Sequence, residues 1–477
     1  MKRFNNFLES HLYLLVISVG AFVGWFIKFD LTILNTSISI NELFIIGYLF
    51  WGLIILTFVE DTKHLILVYI STLLMFNSKD LGLEYLNGFN AIYVMVALFI
   101  IGVIIHLIRF KPKLKWGTMS IGFGLLALSY FLPFIYSEIK FSLTALAISF
   151  VGVIYLIFYW FFKSTSTTKT NDLLTYLFFA SITIMLQIYS VVIYNYLTMS
   201  GIPFLEKMEK GLKSHWGNSN FGYGNINDVI IFFTITFAGQ IYFLHKYRHR
   251  IFIWIFPILS IYATYLSGSR GGWLSWLILC LIVYFFFLIK GNRQQRILVN
   301  LTLVLAFIPF MINPGLFNVV IARLKLNSDN LNQFTSGRIT LYKQALEIFK
   351  EFPLFGAGWS YQLEANNDNR IQIFHSTIFQ TLAISGIFGL ISLIIYLLTS
   401  IFLFIRKMSF AVAVLLFSWL ATMIHGLFDN TVHMLIYTIL CIFILVAVEN
   451  EATTKPQYSL KKIVYRKDKK NQLNLFQ

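Results

Sequence analysis

The chain has 477 residues, 58% of them hydrophobic and 12% charged, with a formal net charge of +16. Soluble domains carry about 25% charged residues, so this composition excludes an ordinary water-soluble protein and, with it, a domain count taken from length. The basic residues lie in short loops and the C-terminal tail, which is the positive-inside pattern of membrane proteins and not the footprint of a nucleic-acid binder.

Apolar segments of membrane-spanning length recur from end to end. Fourteen are read, at roughly 11–29, 43–59, 64–76, 90–108, 117–135, 141–162, 173–198, 226–245, 251–267, 271–290, 296–312, 374–405, 409–428 and 433–448. The segment at 64–76 is short, and the long one at 374–405 is expected to bend at Gly386. The first run is long and lacks a small-residue cleavage site, so no cleavable signal peptide is expected. Cys280 and Cys441 both lie in apolar runs and read as packed thiols. The fold class is therefore all-α: a polytopic integral membrane protein of about 12–14 transmembrane helices, one membrane domain over 1–450 and a basic tail over 451–477.

Alternating the spans from a cytoplasmic N-terminus puts 24 of the 37 Lys and Arg residues inside, and 14 acidic residues outside against 7 inside. Both termini are then cytoplasmic. "KSTSTTKTN" (163–171) reads as a cytoplasmic linker, and the basic tail as a segment near anionic lipid heads. Three polar stretches face outward: "SGSRG" around Arg270, the 60-residue segment 313–372, and "HGLFDNTVH" at 425–433.

Each outward stretch carries candidate chemistry. "FGYGNINDV" (221–229) offers Asn227 or Asp228 as a helix cap. Arg270 stands in a glycine turn between two spans, an expensive place for a cation unless an anion meets it there. In "TSGRITLYKQALEIFKEFPLFGAGW" (335–359), Ser336 can cap a helix and Pro353 end it. Leu341, Tyr342, Ala345 and Phe349 fall on one face of that helix, and Arg338 leads the same face. A helix lying on the membrane surface would point Arg338 toward headgroup depth; a snorkelling arginine is the plainer reading. In "HSTIFQTLAISGIFG" (375–389), His375 opens a span, while Gly386 and Gly389 share a side that permits close helix approach. A histidine there is either an interfacial cap or a base that titrates near neutrality. His425, Asp429 and His433 are spaced as metal ligands on an unbroken helix, but "GLFDN" reads as a helix end, which leaves Asp429 as a turn residue suited to orienting a base.

These motifs, in this order, resemble the O-antigen ligase and O-antigen polymerase superfamily of bacterial membrane glycosyltransferases. "GNIND", "SGSRGG", "GRITLYKQALEIFKEFPLFGAGW", "HSTIFQTLAISGIFG" and "HGLFDN" carry the resemblance, which spans about residues 215–450. It implies a GT-C-like enzyme of the bacterial cytoplasmic (inner) membrane that takes its glycan from undecaprenyl diphosphate and uses no metal or other cofactor. The family's arginines map onto Arg270 and Arg338, and its histidine onto His375. Arg323 and Arg370 lie in the same outer loop without a motif to place them.

The chemistry suits the residues. A planar guanidinium grips phosphate oxygens bidentately and stays charged. Arg270 and Arg338 are thus expected to stabilise the departing diphosphate, and His375 to take the proton of an attacking sugar hydroxyl. Gly271 lets backbone approach the phosphates; Ser269, Asn227 and Asp429 are expected to line the same substrate site. The partners are a lipid-linked glycan donor, a glycan acceptor and membrane lipids, with no nucleic acid. A polymerase is preferred over a ligase because no feature marks a second, dissimilar acceptor site. A lipid-linked oligosaccharide flippase would spread charge through the middle of its spans, and these spans are nearly free of it.

Overall fold

The computed structural model describes residues 2–27, 30–33, 36–75, 91–136, 148–198, 226–312, 337–359 and 373–451, with isolated positions between them. The 221–225 half of the asparagine motif, Ser336, Arg323, Arg370 and the tail beyond 451 lie outside the described residues.

The described chain is helical, apart from one two-stranded antiparallel hairpin. The elements are α1 (Lys2–Leu8), α2 (His11–Phe26), β1 (Asp30–Ile33), β2 (Thr36–Ser39), α3 (Ile40–Phe58), α4 (Lys63–Met75), α5 (Ala91–Phe110), α6 (Ser120–Tyr136), α7 (Val151–Thr165) and α8 (Thr170–Thr198). They continue with α9 (Ile226–Lys246), α10 (Ile255–Ser267, entered through a 3-10 turn at Ile251–Trp254), α11 (Arg270–Lys290), α12 (Arg293–Ile312), α13 (Arg338–Glu351), α14 (Thr377–Arg406), α15 (Phe410–His425) and α16 (Leu435–Glu449). Fourteen of these helices coincide one for one with the fourteen apolar segments. Six are long and apolar enough to cross a membrane on their own, and the others are shorter apolar helices. The protein is an all-α polytopic membrane protein.

Burial separates core helices from lipid-facing ones. The apolar window of α9 is 78% buried and that of α12 only 22%. Helix α9 packs against α8, α11 and α15, and every residue of α16 from Tyr437 to Val448 is buried. Both are apolar all round, as a helix surrounded by other helices must be. The short α4 is buried along most of its length against α2, α3 and α8.

The two ends of the bundle differ. At one end, the C-terminus of α16 is tied to the loops before α6 and after α7. Glu449 accepts from the Thr118 N–H (2.5 Å) and the Tyr159 hydroxyl (2.6 Å), and Lys163 donates to Asn450 (2.9 Å). The opposite end gathers the start of α9, the α10–α11 turn, α13, the start of α14 and the α15–α16 turn. All the predicted site residues meet there.

Helix α14 contains the expected bend. Gly386 has φ 59° and ψ −155°, a conformation open to glycine almost alone. Such a break frees backbone groups that must find partners away from water. The loop after α13 supplies them. The Ile387 and Phe388 N–H groups donate to the Pro353 and Leu354 carbonyls (2.9 and 3.1 Å), and the Ala357 N–H donates to Ala383 (2.9 Å). Contact is so close that a Cβ on Gly356 (φ +73°) would stand 2.3 Å from the Ile384 carbonyl carbon. That accounts for the first glycine of "PLFGAGW". The expected role of the glycine pair is corrected: Gly386 admits a loop and not a helix, and a Cβ on Gly389 would meet Ser385 and Thr381 of its own helix across the break.

Candidate active site

The "SGSRGG" turn is a pair of helix caps. Gly268 ends α10 in the left-handed conformation (φ 65°), and Ser269 caps α11, its hydroxyl accepting from the Gly272 N–H at 3.1 Å. The same hydroxyl donates to Asn227 Oδ1 (2.8 Å). Asn227 and Asp228 therefore lie in the first turn of α9, which begins at Ile226, and are not its cap. Arg270 is the first residue of α11, half-buried, and feels the positive charge of Arg338. The missing Cβ of Gly271 would sit 3.3 Å from the His425 Nε2, so the turn packs closely on the end of α15.

Helix α13 starts at Arg338, with Gly337 (φ 80°) in the capping position, and ends at Glu351 just before Pro353. Its apolar face packs on the first half of α14. Tyr342 stacks on Phe379 with ring centroids 4.3 Å apart, while Leu341, Ala345 and Ile348 join Phe374 and Ala383. Ile348 takes the place in this cluster that the periodicity gave to Phe349. The Arg338 guanidinium turns to the α15–α16 loop, where Nη1 donates to the Phe428 carbonyl and Nη2 lies 3.5 Å from Asp429 Oδ2.

His375 does not open the helix; it stands two residues before it, with Ser376 as the cap position. Its φ is +48°, uncommon for a residue with a side chain and strained unless surrounding bonds impose it. They do: the Tyr342 hydroxyl donates to the His375 carbonyl (3.1 Å), and the Thr377 N–H donates to the carbonyls of Gly426 (2.9 Å) and Asp429 (3.1 Å). The outcome is that His375 Nδ1 lies 3.2 Å from Asp429 Oδ1.

Asp429 is the hub. Its side chain is only 4% exposed and contacts His375, Arg338 and the Asn430 N–H (2.9 Å). Burial alone would raise its carboxyl. The hydrogen bond with His375 and the nearby Arg338 guanidinium outweigh burial and hold it below the usual carboxylate range. It is a carboxylate at neutral pH.

The three-ligand metal geometry is absent here. Helix α15 ends at His425, so the helical register breaks before Asp429. His433 points elsewhere, with Nδ1 2.6 Å from the Tyr130 hydroxyl and Nε2 2.9 Å from Thr381 Oγ1. Since that threonine donates to the Thr377 carbonyl (2.7 Å), it accepts from Nε2–H, and Nδ1 accepts from Tyr130. Burial pushes His433 down to about 4, so the ring is neutral. Among the described residues no group of three His, Cys, Asp or Glu side chains is placed to hold a metal.

The structure thus brings Asp429 into contact with His375 and Arg338, with Ser269, Arg270 and Gly271 on the adjoining turn and Asn227 at the start of α9. Sequence reasoning missed Gln380, whose side-chain oxygen accepts from Phe374 N–H (2.8 Å) and Asn430 Nδ2 (3.1 Å). The available signal was a glutamine in the apolar run that follows His375. His425, 2% exposed beside Gly271, is a second neighbour of the site.

Part of the chain is similar to a known family. Residues 255–394, which hold Arg270, Arg338, His375 and the broken helix, match the model of the O-antigen ligase family. The chain is 24% identical over 208 residues to an uncharacterized protein of Haemophilus influenzae. That match covers 39% of this chain and 51% of the relative, so the chain spans about half the length of the curated protein it matches. The segment that carries Arg270, Arg338, His375 and the loop-filled helix break is thus similar to the O-antigen ligase family.

Proposed function

We propose that the protein is a membrane polysaccharide polymerase. It joins oligosaccharide repeat units carried on undecaprenyl diphosphate at the outer face of the cytoplasmic membrane, by inverting, metal-independent glycosyl transfer. The observation that carries this reading is the His375–Asp429 pair (3.2 Å) beside Arg338, with Arg270 within range of Arg338's charge. Asp429 on Nδ1 fixes the imidazole tautomer and leaves Nε2 as the basic nitrogen. The acceptor hydroxyl gives its proton to Nε2 as its oxygen attacks the anomeric carbon. The bond from that carbon to the phosphate oxygen breaks, and the diphosphate leaves with the electron pair. Two guanidiniums brought from α11 and α13 suit a multiply charged leaving group, which each can grip with two parallel hydrogen bonds.

The family model's description favours a second reading, in which the lipid-linked glycan is handed to a different acceptor. Both use the same base and arginines, and the product separates them: a ladder of longer chains on the lipid carrier, or glycan on another molecule. The base assignment is tested with His375→Ala in lipid nanodiscs. Turnover should drop about 10² to 10⁴-fold, while undecaprenyl diphosphate still binds. Full activity in this variant would refute the assignment.

A further inference from the structure

We infer that Gln380 and Asn430 are positioning residues that hold His375 and Asp429 in register through one shared amide oxygen. This rests on the reading of His375 as the base. Gln380 is fully buried, one turn into the first half of α14. Its Oε1 accepts the Phe374 N–H at 2.8 Å and the Asn430 amide at 3.1 Å. Phe374 directly precedes His375, and Asn430 directly follows Asp429. One carbonyl oxygen, with two lone pairs, therefore bridges the two segments that bear the pair.

The orientation of both amides follows from the donors. A backbone N–H can only donate, so Gln380 must turn its oxygen to Phe374, and Asn430 must then offer its NH2 group. Asn430 Oδ1 has no hydrogen-bond partner among the described residues, so the bond to Gln380 is what sets this side chain. The Asn430 backbone N–H, in turn, donates to Asp429 Oδ1, the oxygen that faces His375. The links run in a closed ring: Phe374, Gln380, Asn430, Asp429, His375. Thr377 ties the chain on the other side of His375 to Gly426 and Asp429. His375 is thus bracketed, and its positive φ is held from both flanks. Without the Gln380 bridge, the segment before His375 loses its bond to the Asp429 turn, and the imidazole is free to drift from the carboxylate.

The test uses the full chain in lipid nanodiscs, with Gln380→Leu, Asn430→Ala and the double variant. Turnover is measured with the lipid-linked glycan that accumulates in cells lacking the protein, and binding with undecaprenyl diphosphate. Each single change should lower kcat toward about 10²-fold, the cost of roughly 1 Å of misplacement at a reacting group, and leave lipid binding intact. The double variant should be no worse than the worse single one, because both remove the same bridge. Full turnover in Gln380→Leu overturns the inference, as do losses that multiply in the double variant. A parallel fall of binding and turnover also overturns it, since that marks a general structural role. If Gln380→Leu is poorly produced, Asn430→Ala, in a turn outside the helices, reads the same bridge. His375→Ala run alongside separates the two levels. An active His375→Ala removes the base reading, whereas an inactive one with active Gln380→Leu removes only the bridge.

Discussion

Replacing Asp429 with asparagine keeps the size of the hub and removes its charge. In the proposed mechanism the imidazolium forms with its Nδ1 3.2 Å from Asp429 Oδ1. At an effective permittivity of about 20, opposite unit charges at that distance attract by about 5 kcal/mol. The His375 side chain is 34% exposed, and solvent screening at such a site removes more than half of that. About 2 kcal/mol remains, which is roughly 30-fold in rate. An asparagine that turns its NH2 group to Nδ1 would also enforce the wrong tautomer, a fault that costs about 10⁴-fold in serine proteases. The expected loss lies between these limits. Donor affinity should move the other way or stay level, because Arg338 loses the carboxylate that competes with phosphate for its guanidinium. The assay is single-turnover glycan transfer in nanodiscs, with equilibrium binding of undecaprenyl diphosphate on the same samples. Undiminished transfer, or affinity that falls in step with transfer, would refute the reasoning.

Arg270→Lys keeps the charge but loses the planar fork, so transfer should stay strongly impaired and lipid diphosphate binding weakened, read on the same two assays. A cysteine at the exposed Thr340 should react with a membrane-impermeant thiol reagent added outside the cell, and one at the exposed Arg293 should not; the reverse pattern would put the arginines on the wrong side for an outward-facing donor. Excess EDTA should leave the transfer rate nearly unchanged, whereas a collapse restored by a divalent cation would reopen a metal role near His425 and Asp429.

Hydropathy was enough to read the spans, because an apolar run of fixed length is a one-dimensional property. The break at Gly386 was legible too, as a glycine inside a run too long for one crossing. The site was legible only as separate pieces. Arg338 could be placed on one face of its helix, but its partners Phe428 and Asp429 lie 90 and 91 residues away in sequence. His433 carried a metal-like spacing, but its two ring nitrogens are spent on Tyr130 and Thr381. Gln380 looked like one more helix residue. These pairings depend on how helices pack against one another, and no local period encodes that. Gly356 was visible as part of a motif, but its purpose was not: it lies in a helix break thirty residues further along.

That break is also what brings His375 to Asp429. From Thr377 to Arg406 a straight helix of 30 residues would be about 45 Å long, whereas the 16 residues of α15 reach only about 24 Å back from the same end of the bundle. Antiparallel and unbroken, the two would leave their far ends about 20 Å apart. Instead the Thr377 N–H bonds to the Gly426 carbonyl at 2.9 Å. The first half of α14 must therefore turn at Gly386 and run back toward the end of α15, carrying His375 with it. The 353–357 loop satisfies the backbone groups opened by that turn, and α13 packs Tyr342 on Phe379 to hold the half-helix in place. Arg338 rides on α13, so the segment that stabilises the bend also delivers the guanidinium. One bend at one glycine thus brings the arginine and the histidine to the aspartate.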